Sequence, residues 1–344
     1  MDGPSAGRPT MTNRIKGVCV LGNLNIDLII RNVPRLPVWG QEIAGLEHVA
    51  VSSGQAGYLA LALSKLGIVT YVIGTVGSDA FGDQIMGDLK AYGVDATAVE
   101  VVQDGQTGIT VALVRPDGER AFVSDFACLR ALDEALVLRH WGQVEVADIL
   151  CLVGMFCLPG LTLPAANNLL AKARGIGKAT MLDTGWDPGD WPTETLSGIR
   201  QMLQHVTLFM PNEDEARVLS GGMAPEQAAA HLQALGPEIV VVKCGSRGSV
   251  AQIGSKSLTM PALPTTVFDA VGAGDIFDSG FLLGYISGWP PETCMAFGNA
   301  AASVYIGRAR GRYPGLADVI AASKWYDATI LESGKRVSTL TRGE

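Results

Sequence analysis

The sequence lacks long hydrophobic runs and has few residues that bind metals through nitrogen. Spanning a bilayer takes about 18 consecutive apolar residues, and no segment of this 344-residue chain reaches that length. There are only four histidines, and their spacing does not suggest a shared metal ion. The sequence therefore argues against a membrane-spanning protein and against a metal centre built from histidine.

Cysteine motifs and net positive charge are also absent. None of the six cysteines forms a C-x-x-C motif, and most lie in apolar, strand-like runs, so we expect reduced core residues. The net charge of −8 and the isoelectric point near 5.1 argue against a nucleic-acid partner or an anionic membrane surface. Any anionic ligand must therefore be bound by local donors.

The first 14 residues are polar, contain prolines and glycines, and lack the apolar core of a signal peptide. We therefore predict a disordered N-terminal extension over residues 1–14 and a cytoplasmic protein. The remaining chain, with 48% hydrophobic residues in the whole sequence, is long enough to bury a large core.

After residue 145, short apolar strands alternate with segments of helical spacing. Strands are predicted at 149–153, 179–183, 206–210 and 239–242. Apolar strands separated by helices predict an α/β fold with a mostly parallel central sheet and helices on both faces. Two polar, alternating segments near 31–53 and 107–126 predict a small β-sheet lid.

Residues 265–268 predict a β-rich approach to the stretch Asp269-Ala270-Val271-Gly272-Ala273-Gly274-Asp275, and an apolar run with helical spacing follows it. Glycine lets the backbone approach an anion closely, and the first N–H groups of a helix have no partner within it. Gly272, Ala273 and Gly274 are therefore a candidate phosphate cradle, and Asp275 can accept the proton of an attacking hydroxyl. The alternative is a glycine-rich turn in which Asp275 is an ordinary acidic residue of the first helical turn.

Two common nucleotide-binding loops do not match this stretch. The dinucleotide fingerprint G-x-G-x-x-G would require glycine at position 277, which is Phe277. No G-x-x-x-x-G-K-[ST] string occurs in the chain. The sequence therefore disfavours a nicotinamide-dependent dehydrogenase and a P-loop enzyme.

Asn25 and Asp27 occupy alternate positions where the first strand is predicted to end. Ligand-contacting groups of open α/β sheets usually lie at such strand ends, so the two side chains can bind sugar hydroxyls. The alternative is that both close Asx turns with their own backbone.

Candidate residues for binding a nucleotide and its Mg²⁺ follow two further predicted strands. Asn212 and Glu215 match a helix N-cap with its capping-box partner, and the same pair can organise Mg²⁺ and its waters. Lys243, Gly245 and Gly248 fit either a hairpin turn or a loop that supports a nucleotide.

In this order and spacing, the motifs resemble the ribokinase-like (PfkB) family of carbohydrate and nucleoside kinases. The stretch 269–275 resembles the family signature D-T-x-G-A-G-D, residues 212–215 resemble its N-x-x-E motif, and residues 243–248 resemble its nucleotide loop. The resemblance implies one ribokinase-like α/β kinase domain over 15–330, followed by a tail over 331–344. It also implies an ATP- and Mg²⁺-dependent kinase and, as in many members, a homodimer formed through the lid.

The resemblance also implies residue roles. Asp275 corresponds to the catalytic base, and the N–H groups of Ala273 and Gly274 correspond to the anion hole beside Gly272. The remaining roles are substrate binding by Asn25, Asp27, Gly54, Gln55 and Tyr58, cofactor binding by Asn212, Lys243, Gly245, Gly248 and Asp269, and metal binding by Glu215 with Asn212.

Two positions depart from the family pattern. The first-signature region reads Ser53-Gly54-Gln55-Ala56-Gly57-Tyr58 where sugar kinases usually show G-G-x-x-x-N, so Tyr58 replaces a substrate-binding Asn. An aromatic face suits a nucleoside base or the apolar face of a sugar. Ala270 replaces a Thr beside the monovalent-cation site, which weakens the case for K⁺ as a further cofactor.

The substrate expected first is an unphosphorylated sugar or sugar acid, phosphorylated on a primary hydroxyl, and the second is a nucleoside. A catalytically silent ligand-binding protein on the same fold is the rival from another class, because fold does not fix function.

Overall fold

The computed structural model describes residues 17–117, 119–309 and 312–332. The predicted extension at 1–14 lies outside the described residues, as do residues 333–344 of the tail predicted at 331–344, whereas residues 331 and 332 end the last helix. The strands are β1 (Gly17–Gly22), β2 (Asn25–Arg31), β3 (Glu47–Ser53), β4 (Val69–Gly77), β5 (Asp95–Val102), β6 (Gly108–Val114), β7 (Arg120–Asp125), β8 (Ile149–Val153), β9 (Ala179–Asp183), β10 (Leu208–Phe209), β11 (Ile239–Lys243), β12 (Ser249–Ile253) and β13 (Lys256–Met260).

Helices connect most of these strands. They are α1 (Gln55–Lys65), α2 (Ala80–Ala91), α3 (Glu134–Arg139), α4 (Gly142–Val146), α5 (Leu163–Gly175), α6 (Thr193–Met202), α7 (Glu213–Leu219), α8 (Pro225–Gln233), α9 (Ala273–Ser287), α10 (Pro291–Ile306) and α11 (Leu316–Glu332). Among the residues described, no helix is long and apolar enough to cross a membrane.

Nine strands form the central sheet in the order β13-β12-β11-β10-β9-β8-β1-β4-β5. Neighbours from β11 to β5 are parallel, and the hairpin β12–β13 adds two antiparallel strands at one edge. Along β1, Val18 and Val20 pack in one hydrophobic cluster with α1, α9 and α10. Cys19 and Leu21 pack in a second cluster with α5, α6 and α8. Both faces of the sheet are therefore covered, as the sequence predicts.

A separate four-stranded sheet, in the order β3-β2-β6-β7, forms the lid. Strands β2 and β6 are parallel, whereas the two outer pairs are antiparallel. The lid begins at Asn25 and not near residue 31, because only two residues separate the end of β1 from the start of β2. Asn25 and Asp27 therefore lie on a lid strand and not on the end of a core strand.

Other sequence predictions need correction. β5, α3, α4 and α11 were not predicted, since each is short or half-exposed and its pattern is weak. Residues 265–268, expected to be a β-rich approach to the glycine loop, are irregular loop, and Val267 and Phe268 are more than half exposed. All six cysteines are free, and all but Cys157 are buried, in agreement with the expected core role.

Candidate active site

The glycine-rich stretch turns into helix α9 at Gly272, which is the helix N-cap with φ of 81°. That left-handed conformation favours glycine. A Cβ at Gly272 would lie 3.1 Å from the nearest atom of the Tyr58 ring. The turn is also fixed by Asp269, whose Oδ1 accepts a hydrogen bond of 2.9 Å from the Val271 N–H. The loop therefore places the first N–H groups of a 15-residue helix at its positive end, where the Ala273 N–H also makes a long hydrogen bond of 3.3 Å to the Ala270 carbonyl oxygen.

Asp275 lies in the first turn of α9 and is buried, with 7% of its surface exposed. Burial raises its pKa well above the ordinary range, and the negative charges of Asp183 and Asp27 add to that rise, whereas Lys243 opposes it. A carboxylate with a raised pKa holds a proton more firmly than an ordinary Asp does. Such a group is suited to accept a proton from a hydroxyl.

Lys243, at the end of β11, points into the protein beside this acid. Its Nζ lies 2.6 Å from an Asp183 oxygen and 3.1 Å from an Asp278 oxygen. Burial lowers the pKa of Lys243, but the carboxylates of Asp183 and Asp278 raise it more, so the ammonium stays charged. The Cβ position of Gly274 is 3.4 Å from Nζ, so the charge also lies against the glycine loop.

Sequence reasoning did not single out Asp183 or Asp278. Two signals were available: Asp183 ends the predicted strand at 179–183, and Asp278 follows Asp275 by three residues on one helix face. Their pairing with Lys243 joins residues 60 and 35 positions apart, which only the tertiary structure brings together.

The predicted substrate residues form one buried hydrogen-bond network on the inner side of the lid. Tyr58 Oη donates to Asp27 Oδ2 at 2.7 Å, and Ser53 Oγ donates to Asp27 Oδ1 at 2.8 Å. Asn25 Nδ2 donates to the same Oδ1 at 3.2 Å. These are side chain to side chain bonds between β2, β3 and α1, so they are more than the isolated Asx turns considered as the alternative.

Gly54 and Gln55 complete this network at the start of α1. The Gln55 N–H donates to Asn23 Oδ1 at 3.1 Å. A Cβ at Gly54, where φ is 83°, would lie 2.2 Å from the Asn23 carbonyl oxygen, so the backbone requires glycine there. The structure thus brings Asn25, Asp27, Gly54 and Gln55 together.

Tyr58 has a different place from the one its aromatic ring suggested. The side chain is 4% exposed, its ring lies beneath Gly272, and its hydroxyl is bonded to Asp27. The stacking surface expected for a nucleoside base is therefore covered by the glycine loop. Of the groups of Tyr58, the hydroxyl still has a place in the predicted substrate site, because it orients the Asp27 carboxylate.

Asn212 and Glu215 form the predicted capping box at the start of α7. Glu215 Oε2 accepts from the Asn212 N–H at 2.9 Å, and Oε1 accepts from Asn212 Nδ2 at 2.6 Å. Burial raises the pKa of Glu215 to about 8, with a further contribution from Asp183. Both carboxylate oxygens are thus engaged, so the pair fits a Mg²⁺ ion held through its waters better than one bound directly.

No group of three or more His, Cys, Asp or Glu side chains within 17–117, 119–309 and 312–332 is arranged to hold a metal ion. Mg²⁺ commonly keeps several waters and binds substrate phosphates as well as one or two carboxylates. The residues present therefore fit a metal that enters with a nucleotide.

A cleft of about 600 Å³ lies between the β11–β12 turn and the helices α9 and α10. Its walls include the predicted Lys243, Gly245 and Gly248 together with Ala273 and Gly274. The apolar side chains of Leu263, Phe277 and Ile306 line the cleft as well. An apolar slot ending at a helix N-terminus fits a nucleotide, with the base in the slot and the phosphates at the loop.

Gly245 and Gly248 also form the hairpin turn between β11 and β12, so both interpretations of this turn hold together. Asp269, which was expected to bind the cofactor, is not among the residues that line this cleft. Its Oδ2 is instead ion-paired with Arg31 of the lid at 2.5 Å.

The model of the pfkB family of carbohydrate kinases matches residues 16–316 of the sequence. The chain belongs to this family. It is a phosphotransferase with an alcohol group as acceptor, and the predicted family, enzyme class and ribokinase-like fold are confirmed.

Relatives agree with this assignment. A ribokinase of Bacillus subtilis is 26% identical over 292 residues, which cover 85% of this chain and 93% of that protein. An uncharacterised sugar kinase of Archaeoglobus fulgidus is 32% identical over 246 residues, covering 71% and 93%. The structure of Arabidopsis thaliana ribokinase complexed with ribose and ATP matches with a TM-score of 0.76 and 26% identity, over 90% of this chain and 99% of that one.

Proposed function

We propose that this kinase transfers the γ-phosphoryl group of ATP to a primary hydroxyl of a small sugar or sugar acid. The observation that carries the proposal is the position of Asp275, buried in the first turn of α9, next to the N-cap Gly272 that lies against the ring of Tyr58, whose hydroxyl bonds Asp27 of the lid network. A hydroxyl held by Asn25 and Asp27 would thus lie near a base and near the N–H groups of the glycine loop. Phosphoryl transfer asks a protein mainly for such positioning and charge stabilisation.

Each group then has one task. Asp275 accepts the proton of the attacking hydroxyl. The N–H groups of Ala273 and Gly274, at the positive end of α9, stabilise the transferring phosphoryl oxygens. Bound Mg²⁺ would neutralise phosphate charge, with Asn212 and Glu215 holding its waters. The lid covers the site and excludes water, so that ATP is not lost to hydrolysis.

A nucleoside is the second candidate substrate, and a silent binding protein is the rival function. The feature that favoured a nucleoside was an accessible Tyr58 ring, which is buried under Gly272. A sugar needs only hydroxyl-binding groups, which the Asn25 and Asp27 network offers. We therefore place the sugar first.

A coupled ADP-release screen across pentoses, hexoses, 2-keto sugar acids and nucleosides tests the proposal. We expect turnover with a sugar or sugar acid and none with nucleosides. Turnover with nucleosides alone would refute the sugar assignment. Binding of ligands without any ADP release would support the silent binding protein.

The same screen, run with potassium or with tetramethylammonium as the only monovalent cation, tests the need for K⁺. Asp269 Oδ2 is paired with the Arg31 guanidinium, and Oδ1 accepts from the Val271 N–H. The negative charge of this carboxylate is therefore already balanced without a monovalent cation. We expect the two rates to differ by less than about threefold, which is under 1 kcal/mol of barrier. A rate that depends strongly on potassium would contradict this expectation.

We also propose a homodimer formed through the lid. Phe122 and Val123 on β7 are 52% and 70% exposed, and Trp39 and Leu46, before β3, are more exposed still. Because consecutive strand residues face opposite sides of a sheet, Phe122 and Val123 expose apolar surface on both faces of β7, and exposed apolar surface is typical of interaction sites. Sedimentation of the wild-type protein should give a dimer, and Phe122→Glu should give a monomer. A monomeric wild type would exclude the proposal.

A cytoplasmic location and the absence of a nucleic-acid partner stay predictions.

A further inference from the structure

Arg31 is the last residue of lid strand β2, and its guanidinium reaches across to the glycine loop. Nη2 lies 2.5 Å from Asp269 Oδ2, and Nη1 donates to the Phe268 carbonyl oxygen at 3.3 Å. The guanidinium carbon also lies 4.6 Å from the centre of the Phe268 ring. The two ion-paired side chains are only 14% and 7% exposed. This is a three-part contact between the lid and the segment that begins the loop, in which the ion pair is largely buried and Phe268 is 53% exposed.

The same face of β2 carries the groups proposed to bind the sugar. Side chains alternate along a strand, so Asn25, Asp27 and Arg31, at even spacings, point to one side. Asn25 and Asp27 lie in the buried network with Ser53 and Tyr58, and Arg31 lies at the far end of the strand. One rigid strand therefore joins the sugar side of the site to Asp269.

On the other side, the segment contacted by Arg31 forms a wall of the nucleotide cleft. Val267 and Ala270 line that cleft of about 600 Å³. They also line a second cavity of about 480 Å³ on the lid side, whose walls include Arg31 and Asp269. Residues 267–270 thus separate the lid from the nucleotide cleft, and Arg31 contacts this partition directly.

We propose that Arg31 is a positioning residue that couples closure of the lid over the sugar to the arrangement of the glycine loop and its nucleotide cleft. The inference rests on the proposed function. Arg31 holds Asp269, Asp269 Oδ1 holds the Val271 N–H, and that turn leads into Gly272 at the start of α9. Sugar and nucleotide therefore each favour the conformation that the other binds, and by linkage the effect is reciprocal.

The test uses Arg31→Met with a matched control, Arg115→Met. Arg115 is also a lid arginine paired with an aspartate, Asp117 at 2.5 Å, but that pair is about half exposed and bonds within the lid. We expect Arg31→Met to lower kcat about tenfold or more, because small displacements of reacting groups are costly, and Arg115→Met to change it little. Arg31→Lys should recover only part of the rate, since an ammonium cannot hold both acceptors in the guanidinium geometry.

The effect of sugar on nucleotide affinity distinguishes coupling from a purely structural role of Arg31, because loss of a structural contact alone would not abolish that effect. We expect the Kd of a non-hydrolysable ATP analogue to fall when the sugar from the screen is added to wild type, and to be independent of sugar in Arg31→Met. Adding Asp269→Asn to Arg31→Met should cause no further loss, because both changes break one contact. Sugar-dependent analogue binding that survives in Arg31→Met would overturn the inference.

A measurement without turnover separates this inference from the proposed function. In ligand-free protein, Arg31→Met should speed hydrogen exchange at 269–275 and 47–53, whereas Arg115→Met should not affect 269–275. If exchange is faster in Arg31→Met but the screen finds no substrate, the contact is supported and the proposed function fails. Unchanged exchange together with an active wild type would remove Arg31 from the role while the function stands.

Discussion

Asp275→Asn is expected to lower kcat by about a hundredfold or more, the scale of a lost general base. The amide keeps the size and shape of the carboxylate but cannot accept the hydroxyl proton. Because Asp275 is proposed to act on the hydroxyl and not on the nucleotide, the Kd for a non-hydrolysable ATP analogue should stay close to that of wild type. Single-turnover kinetics and analogue binding, measured side by side, check both parts. Near-normal turnover would remove Asp275 from the catalytic role.

The raised pKa of Asp275 also determines how the activity and the stability of the protein depend on pH. In wild type, kcat/KM should fall on the acid side at a pH above the ordinary range of an aspartate, and Asp275→Asn should lack that limb.

Burial first, and then Asp183 and Asp27, disfavour the charged form in the folded state. The folded protein therefore binds more protons than the unfolded chain between the two pKa values, so stability contributed by Asp275 falls as pH rises through that window. Asp275→Asn should then unfold at a higher denaturant concentration than wild type at neutral pH.

Gly272→Ala is expected to reduce kcat/KM by about tenfold to a hundredfold, because the loop and the substrate network meet at this residue. The new Cβ would lie 3.1 to 3.2 Å from three atoms of the Tyr58 ring, in addition to the backbone cost of φ at 81°. Either the loop or the ring must move, and the Tyr58 hydroxyl orients Asp27. Steady-state kinetics with the sugar from the screen measure the effect.

Gly288 provides a matched control at the opposite end of α9. It has φ of 74°, and a Cβ there would meet nothing within 4 Å. Gly288→Ala should therefore share the backbone cost of about 1–2 kcal/mol without a loss of activity. If the two alanine variants had equal kcat/KM, the contact between the loop and Tyr58 would have no part in catalysis.

The sequence predicted two buried strands well, whereas β10, predicted at 206–210, is only the pair Leu208–Phe209 although the whole stretch is buried. Strands β8 and β9 have the predicted bounds, because both are almost fully buried runs between helices. β5 was missed because Asp95, Thr97 and Glu100 interrupt its apolar pattern at the sheet edge. The lid was located, but its first strand was not, since Asn25 to Arg31 continues β1 after only two residues.

For the site, local motifs could be predicted, whereas contacts between motifs could not. The capping box of Asn212 and Glu215 is visible in the sequence because it spans four residues. The ion pairs of Lys243 with Asp183 and Asp278, and of Arg31 with Asp269, join distant parts of the chain. For Tyr58, residue type suggested an aromatic surface for ligands, but packing against Gly272 decides what the ring does.

The six free cysteines make the native chain a suitable background for thiol-directed labelling. Burial raises the pKa of every one of them, and even Cys157, the least buried, reaches about 11. Thiolate is the form that attacks alkylating reagents, so at neutral pH the native thiols react slowly. A cysteine introduced at Val146, which is 54% exposed at the end of α4 and lies outside the lid, would therefore carry a fluorophore selectively without prior removal of the native cysteines.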